Sequence, residues 1–131
     1  MKLAYVDTSC LVAIAFDEPG AQRLARQLER YDRLLASNLL EAELRSALIR
    51  EQAEGNAGTL LSWITWVYPD RPLTSEFQKI AAAGYVKGAD MWHLAHALFL
   101  APEGKSLDFL TLDRRQEEVA GLLGFGPEHR P

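Results

Sequence analysis

The sequence predicts an α/β fold, a three-layer arrangement with a mostly parallel central sheet of four to five strands, helices on both sides and a helical arm. Three observations predict it. Short runs of strand-forming residues, Leu3-Ala4-Tyr5-Val6, Leu34-Leu35-Ala36 and Asp108-Phe109-Leu110-Thr111, alternate with stretches of helical periodicity. The first run is apolar throughout, as in a strand buried on both faces. The pieces between strands are long, which calls for paired helices.

The first strand stops on Asp7-Thr8-Ser9, and Ser9 to Phe16 follows as a short apolar helix with Ser9 as N-cap candidate. Asp17-Glu18-Pro19-Gly20 breaks it, and Ala21 to Arg30 is amphipathic with a basic outer face. After the second strand, Ser37 is expected to cap a long helix running to about Glu54, closed by Gly55-Asn56. Ala57 to Trp66 reads as a helix, and Val67-Tyr68-Pro69 as an extended link with a brief edge strand. Ser75 to Ala83 is a helix, Gly84 to Gly88 a loop, and Ala89 to Leu100 a strongly apolar helix. The last strand ends near Asp113, and Arg114 to Leu123 is the final helix. Phe125 begins a marginal strand before a Pro-rich tail that should fray.

A chain of 131 residues suffices for one domain over residues 1–131. With 48% hydrophobic and 24% charged residues, its composition is that of an ordinary globular protein. No apolar run reaches the roughly 20 residues of a membrane span, and the N-terminus lacks a signal-peptide pattern. Cys10 is alone among apolar neighbours, which suits a buried structural thiol and a reducing cytoplasm. A net charge of −4 argues against simple coating of nucleic acid, though not against an enzyme that reaches phosphates through metal ions.

Acids at element ends carry the chemistry. In parallel sheets ligands gather at the carboxyl ends of strands, where Asp7 and Asp113 both fall. Either could cap the next helix or bind something positive; both together point to a site. On the long helix Leu40, Leu44, Ala47 and Leu48 form the core stripe, with Glu41 and Glu43 on opposite borders. Glu41 can pair with Arg45 one turn on, which leaves Glu43 the better inward candidate. Asp90 opens the apolar helix, where it could simply complement the helix dipole. Asp90-x-x-His93-x-x-His96 mimics metal-ligand spacing, yet an ideal helix turns His96 about 120° away from Asp90. His93 is therefore expected to support the site or pack, and His96 to lie on the surface.

Taken in order, Val6-Asp7-Thr8-Ser9, Ser37-x-Leu39-x-x-x-Glu43-Leu44-x-x-Ala47-Leu48, Asp90-x-x-His93-Leu94-Ala95 and Leu110-Thr111-x-Asp113-Arg114 resemble the PIN-domain family. They are most similar to the VapC toxins of bacterial and archaeal toxin–antitoxin pairs, from Lys2 to about Phe125. The chain departs from the family in Trp92, where a smaller apolar residue is common, and in the poorly marked last strand. The resemblance implies a PIN-like fold and places the four family acids on Asp7, Glu43, Asp90 and Asp113. Thr8 and Ser9 match the hydroxyls that support the first acid.

The resemblance further implies endonucleolytic hydrolysis of RNA phosphodiesters by a metal-activated water, an antitoxin partner and a homodimer. Four converging carboxylates repel one another unless a divalent cation neutralises them. Oxygen-only donors favour Mg²⁺ or Mn²⁺ over zinc. Asp7, Asp90 and Asp113 would hold metal, with Glu43 holding a second metal or orienting water. Arg45, Arg50, Lys87, Arg114 and Arg115 are the candidates for gripping the RNA backbone. No small-molecule cofactor and no membrane association is expected.

Two rival readings stand beside this one. A phosphoacceptor receiver domain would need adjacent acids after the first strand and a later Lys-Pro, and neither is present. A non-catalytic PIN-fold module acting by RNA or protein binding is the alternative, but the presence of all four acids argues against lost catalysis, since nothing else in a fold needs them together. Leu60 to Val67, with Trp63 and Trp66, is either core or the face that meets an antitoxin helix or a second copy.

Overall fold

A computed structural model of the chain describes residues 1–127, apart from the side chain of Asn56. Strands β1 (Leu3–Val6), β2 (Arg33–Ser37), β3 (Ile64–Val67) and β4 (Asp108–Leu110) form a four-stranded sheet in the order β3-β2-β1-β4. Every pairing between them is parallel. β1 sits inside the sheet, and its apolar run follows from that position: Ala4, Tyr5 and Val6 are each 0% exposed.

Helices α1 (Thr8–Ala15) and α2 (Ala21–Leu28) join β1 to β2. From β2 the chain runs through α3 (Leu39–Arg50), a 3₁₀ turn at Glu54–Asn56 and α4 (Ala57–Leu61) to β3. It then passes through α5 (Thr74–Ala83) and α6 (Gly88–Leu100) to β4, and ends in α7 (Arg114–Leu122). The first two crossovers step one way along the sheet, and the third returns to the far side of β1. With right-handed crossovers this puts the two sets of helices on opposite faces. Accordingly α1 packs on α2 and α3, whereas α5 packs on α6 and α7.

The reversal of direction falls between β1 and β4, and the crevice it leaves at the strand carboxyl ends is where open α/β sheets bind ligands. Val6 is in register with Leu110, and the Asp7 N–H donates to Leu110 O at 3.1 Å. Asp7 and Thr111 therefore emerge side by side.

Several boundaries differ from those expected. Asp7, not Ser9, is the N-cap of α1, because its carboxylate reaches the Ser9 N–H. α3 starts after Asn38, with Ser37 Oγ accepting from the Leu39 N–H at 3.2 Å, and it stops at Arg50 rather than Glu54. The helix expected over 57–66 ends at Leu61, because Ile64 to Val67 pairs in register with Leu34 to Ser37. Leu60, Leu61, Ile64 and Val67 of that segment are core, while Trp63 is 39% exposed. Trp63 lines, with Leu28, Leu34 and Ile64, a cavity of about 400 Å³ at the amino ends of β2 and β3. In place of a fifth strand, Gly126 makes a single parallel bridge to Asp108. The part of the tail beyond Pro127 that was expected to fray lies outside the described residues.

Two glycines with positive φ, Gly104 (74°) and Gly124 (99°), meet at the end of the molecule remote from the crevice. A Cβ on Gly104 would stand 2.5 Å from the carbonyl carbon of Gly124, and one on Gly124 would stand 2.6 Å from Glu103 O. Only glycine fits at either position.

Candidate active site

Asp7 leaves β1 at the floor of the crevice and is 4% exposed. Its Oδ1 accepts from the Ser9 N–H at 3.1 Å and from Ser9 Oγ at 2.5 Å; its Oδ2 accepts from Thr111 Oγ1 at 2.7 Å. A carboxylate has about four acceptor positions, so one remains on Oδ2. Burial pushes the Asp7 carboxyl up, against the hydrogen bonds from Ser9 and Thr111 that pull it down. Ser9 Oγ also accepts from the Leu112 N–H at 3.0 Å, which ties the loop after β4 to the start of α1.

Asp113 follows that loop and N-caps α7, accepting from the Gln116 N–H at 2.8 Å. The Thr111 hydroxyl accepts from the Asp113 N–H at 3.0 Å, so one side chain braces both strand-end acids. Asp90 stands in the first turn of α6, half-buried. Among the described residues its carboxylate has no hydrogen-bond donor, whereas its backbone oxygen accepts from Gln116 Nε2 at 3.3 Å. Burial first, and then the charges of Asp113 and Asp7, push the Asp90 carboxyl up. Asp90 thus feels both strand-end acids.

Glu43 turns to the site from α3. Its Oε1 accepts from Thr8 Oγ1 at 2.7 Å and from His93 Nε2 at 3.0 Å. The His93 hydrogen bond, with that from Thr8, holds the Glu43 carboxyl below its usual range against partial burial. Glu41 on the other border pairs outward with Arg45 Nε at 2.7 Å, which settles the register left open by periodicity. Thr8 and Ser9, adjacent in sequence, serve different acids.

Neither His93 nor His96 is disposed as a ligand. His93 is 2% exposed, with Nδ1 on Tyr5 Oη at 2.8 Å and Nε2 on Glu43. His96 is not on the surface as expected but 3% exposed; its Nδ1 bonds Trp92 O at 2.8 Å, and burial pulls its imidazole pKa down. Cys10 is buried, and burial pushes its thiol well up, as an inert structural cysteine requires.

Of the basic candidates, Arg45 is committed to Glu41, Arg50 contacts Glu51 at 3.3 Å, and Arg115 bonds Tyr85 O at 2.9 Å and Glu118 at 3.2 Å. Lys87 N-caps α6 and its charge reaches Asp90; Arg114 follows Asp113 directly. Both are exposed.

Among the described residues no three His, Cys, Asp or Glu side chains converge closely enough to hold an ion as they stand. The donor chemistry decides the fit. It fits a hard cation: carboxylate oxygens alone, one open acceptor position on Asp7, and Asp90 raised by burial and then by its acidic neighbours.

Sequence reasoning missed Thr111, Tyr5, Ser37 and Gln116 as members of this constellation. Thr111 carried a signal, a hydroxyl at a strand end beside an acid. Tyr5 carried a fainter one, a polar-tipped ring in an apolar strand two residues before Asp7.

Compared with known protein families, the chain matches the PIN domain over residues 4–122. None of the curated proteins matches it.

Proposed function

This chain belongs to the PIN-domain family, and from that premise we propose that it is a Mg²⁺- or Mn²⁺-dependent endoribonuclease, the toxin of a VapC-type toxin–antitoxin pair. PIN domains are generally nucleases and typically use divalent metals. The observation that carries the reading is the half-buried Asp90 carboxylate, which has no hydrogen-bond donor among the described residues and feels the charges of Asp113 and Asp7. Asp7 and Asp113 also N-cap α1 and α7, but among the described residues no donor engages the Asp90 carboxylate, and the acidic charge around it makes the site receptive to a cation.

In this reading Asp7, Asp90 and Asp113 hold the metal through carboxylate oxygens, and Glu43 holds a second ion or orients water. Bound there, a divalent ion supplies charge compensation for the phosphodiester and for its attacking water. Ser9 and Thr111 fix Asp7 so that one acceptor position stays open, on Oδ2. Thr8 and His93 do the same for Glu43. Lys87 and Arg114, exposed on either side of the acids, bind the phosphates that flank the scissile bond. Residues 1–131 act as one domain, as a homodimer held in check by an antitoxin, in the cytoplasm; no helix of the described residues is long and apolar enough to cross a membrane.

Purified chain incubated with single-stranded and structured RNA, with Mn²⁺ or Mg²⁺ against chelator, tests the chemistry. Internal cleavage that requires the ion and is lost in Asp7→Asn is expected. Cleavage that survives the substitution, or that proceeds in chelator, would remove the proposal. Growth arrest on expression, relieved by a co-purifying small protein, tests the toxin role.

A further inference from the structure

A buried polar chain runs behind Glu43. The Ser37 N–H donates to Tyr5 Oη at 3.0 Å, Tyr5 Oη lies 2.8 Å from His93 Nδ1, and His93 Nε2 lies 3.0 Å from Glu43 Oε1. Ser37, Tyr5 and His93 are 1%, 0% and 2% exposed. We propose that Tyr5 and His93 are positioning residues that aim the Glu43 carboxylate into the nuclease site, an inference that rests on the role given to Glu43 above.

The hydrogens along the chain have one consistent order with a neutral ring. A backbone N–H only donates, so the tyrosine oxygen accepts from Ser37, and its own hydrogen goes to His93 Nδ1. The ring hydrogen is then on Nε2, where it meets Glu43 Oε1. That oxygen also accepts from Thr8, so two donors from two different helices fix one carboxylate oxygen and, among the described residues, leave Oε2 without a donor.

Packing alone does not call for this arrangement. Phe and Leu would fill the same volume without burying a phenol and an imidazole, which is unfavourable unless both are paired. Both are paired, and the Tyr5 ring is itself clamped, stacked on Phe109 at 5.4 Å between centroids and edge-on to His93 at 5.8 Å. The chain reaches solvent only at Glu43. It thereby links the central strand to a candidate acid that no strand end positions.

The test uses the full chain and two readouts, Mn²⁺ binding without RNA by electron paramagnetic resonance, and kcat against KM for RNA cleavage. Tyr5→Phe, which removes one oxygen and keeps the stack, should weaken Mn²⁺ binding and lower kcat, each about tenfold, with KM little changed. Ring ¹⁵N shifts should show the Nε2–H form in the parent and lose it in Tyr5→Phe. His93→Gln, whose amide still donates, should retain more Mn²⁺ affinity than His93→Leu; a packing role predicts the reverse order. That pair carries the test alone if Tyr5→Phe does not fold. Parental Mn²⁺ affinity in all three variants, with weak binding in Glu43→Gln, would overturn the positioning proposal and leave Glu43 in place. Parental binding and cleavage in Glu43→Gln would instead remove the role of Glu43, and the positioning proposal with it.

Discussion

Three donors address the Asp7 carboxylate, yet burial still pushes its pKa up. A group whose folded value is raised stabilises the fold most below its unfolded value, and that stability is lost as pH rises through the folded value. Asp7→Asn escapes the loss. Its oxygen keeps the Ser9 donors, its amide donates to Thr111 Oγ1, and the threonine hydrogen swings to Gln116 Oε1, 3.1 Å away. In chelator at neutral pH the variant should melt a few degrees higher than the parent, with the gap closing in acid; calorimetry across pH reads both. Glu43→Gln should reduce RNA cleavage about a hundredfold, and Glu41→Gln should leave it unchanged, in the same assay. Glu76 behaves in the opposite sense to Asp7. Arg71 holds its carboxyl down at about 2 through bonds of 2.6 and 3.0 Å. Its contribution is present above the unfolded carboxylate value and is lost as pH falls toward 2. Glu76→Gln should therefore melt below the parent at pH 7 and match it near pH 2. Asp7 and Asp113 were legible because an acid that ends an apolar run marks a strand end. The choice of Glu43 over Glu41 was not legible from the helix alone, since its inward partners, Thr8 and His93, come from other elements.

At the scale of elements, α3 shows how far periodicity reaches. Leu40, Leu44 and Leu48 are each 0% exposed, the stripe that the spacing predicts. Leu44→Ala should destabilise the fold by about 2–5 kcal/mol in denaturant unfolding, because the removed side chain leaves a cavity among fixed neighbours. The boundary between α4 and β3 was misread for a physical reason. Leu60-Leu61-x-Trp63-Ile64 satisfies a helical stripe and a buried strand equally well, and only pairing with β2 distinguishes them. The same dependence explains Ser37. Its hydroxyl accepts from the Leu39 N–H, but Asn38 already has helical backbone angles and takes the cap position. His96 was misplaced because α6 is covered nearly all round; His93 to Leu98 are all buried.

For the molecule as a whole, parallel layering was legible from the alternation of strands and helices, whereas the strand order was not. The return of the chain past β1 before β4 is decided by how α5 and α6 pack, and no local signal encodes it. That return creates the crevice and brings together acids drawn from positions 7, 90 and 113. At the opposite pole, Gly104 and Gly124 press backbone against backbone. Genetically, they should behave as a single locus. Once either is replaced by alanine the contact is already pried open, so the second replacement has less left to disturb. A double-mutant cycle should show Gly104→Ala plus Gly124→Ala destabilising by less than the sum of the two, and strict additivity would mean that the glycines act only through their own φ angles. Lineages that lose one of the pair would then be free to lose the other, so the two should drift together or not at all.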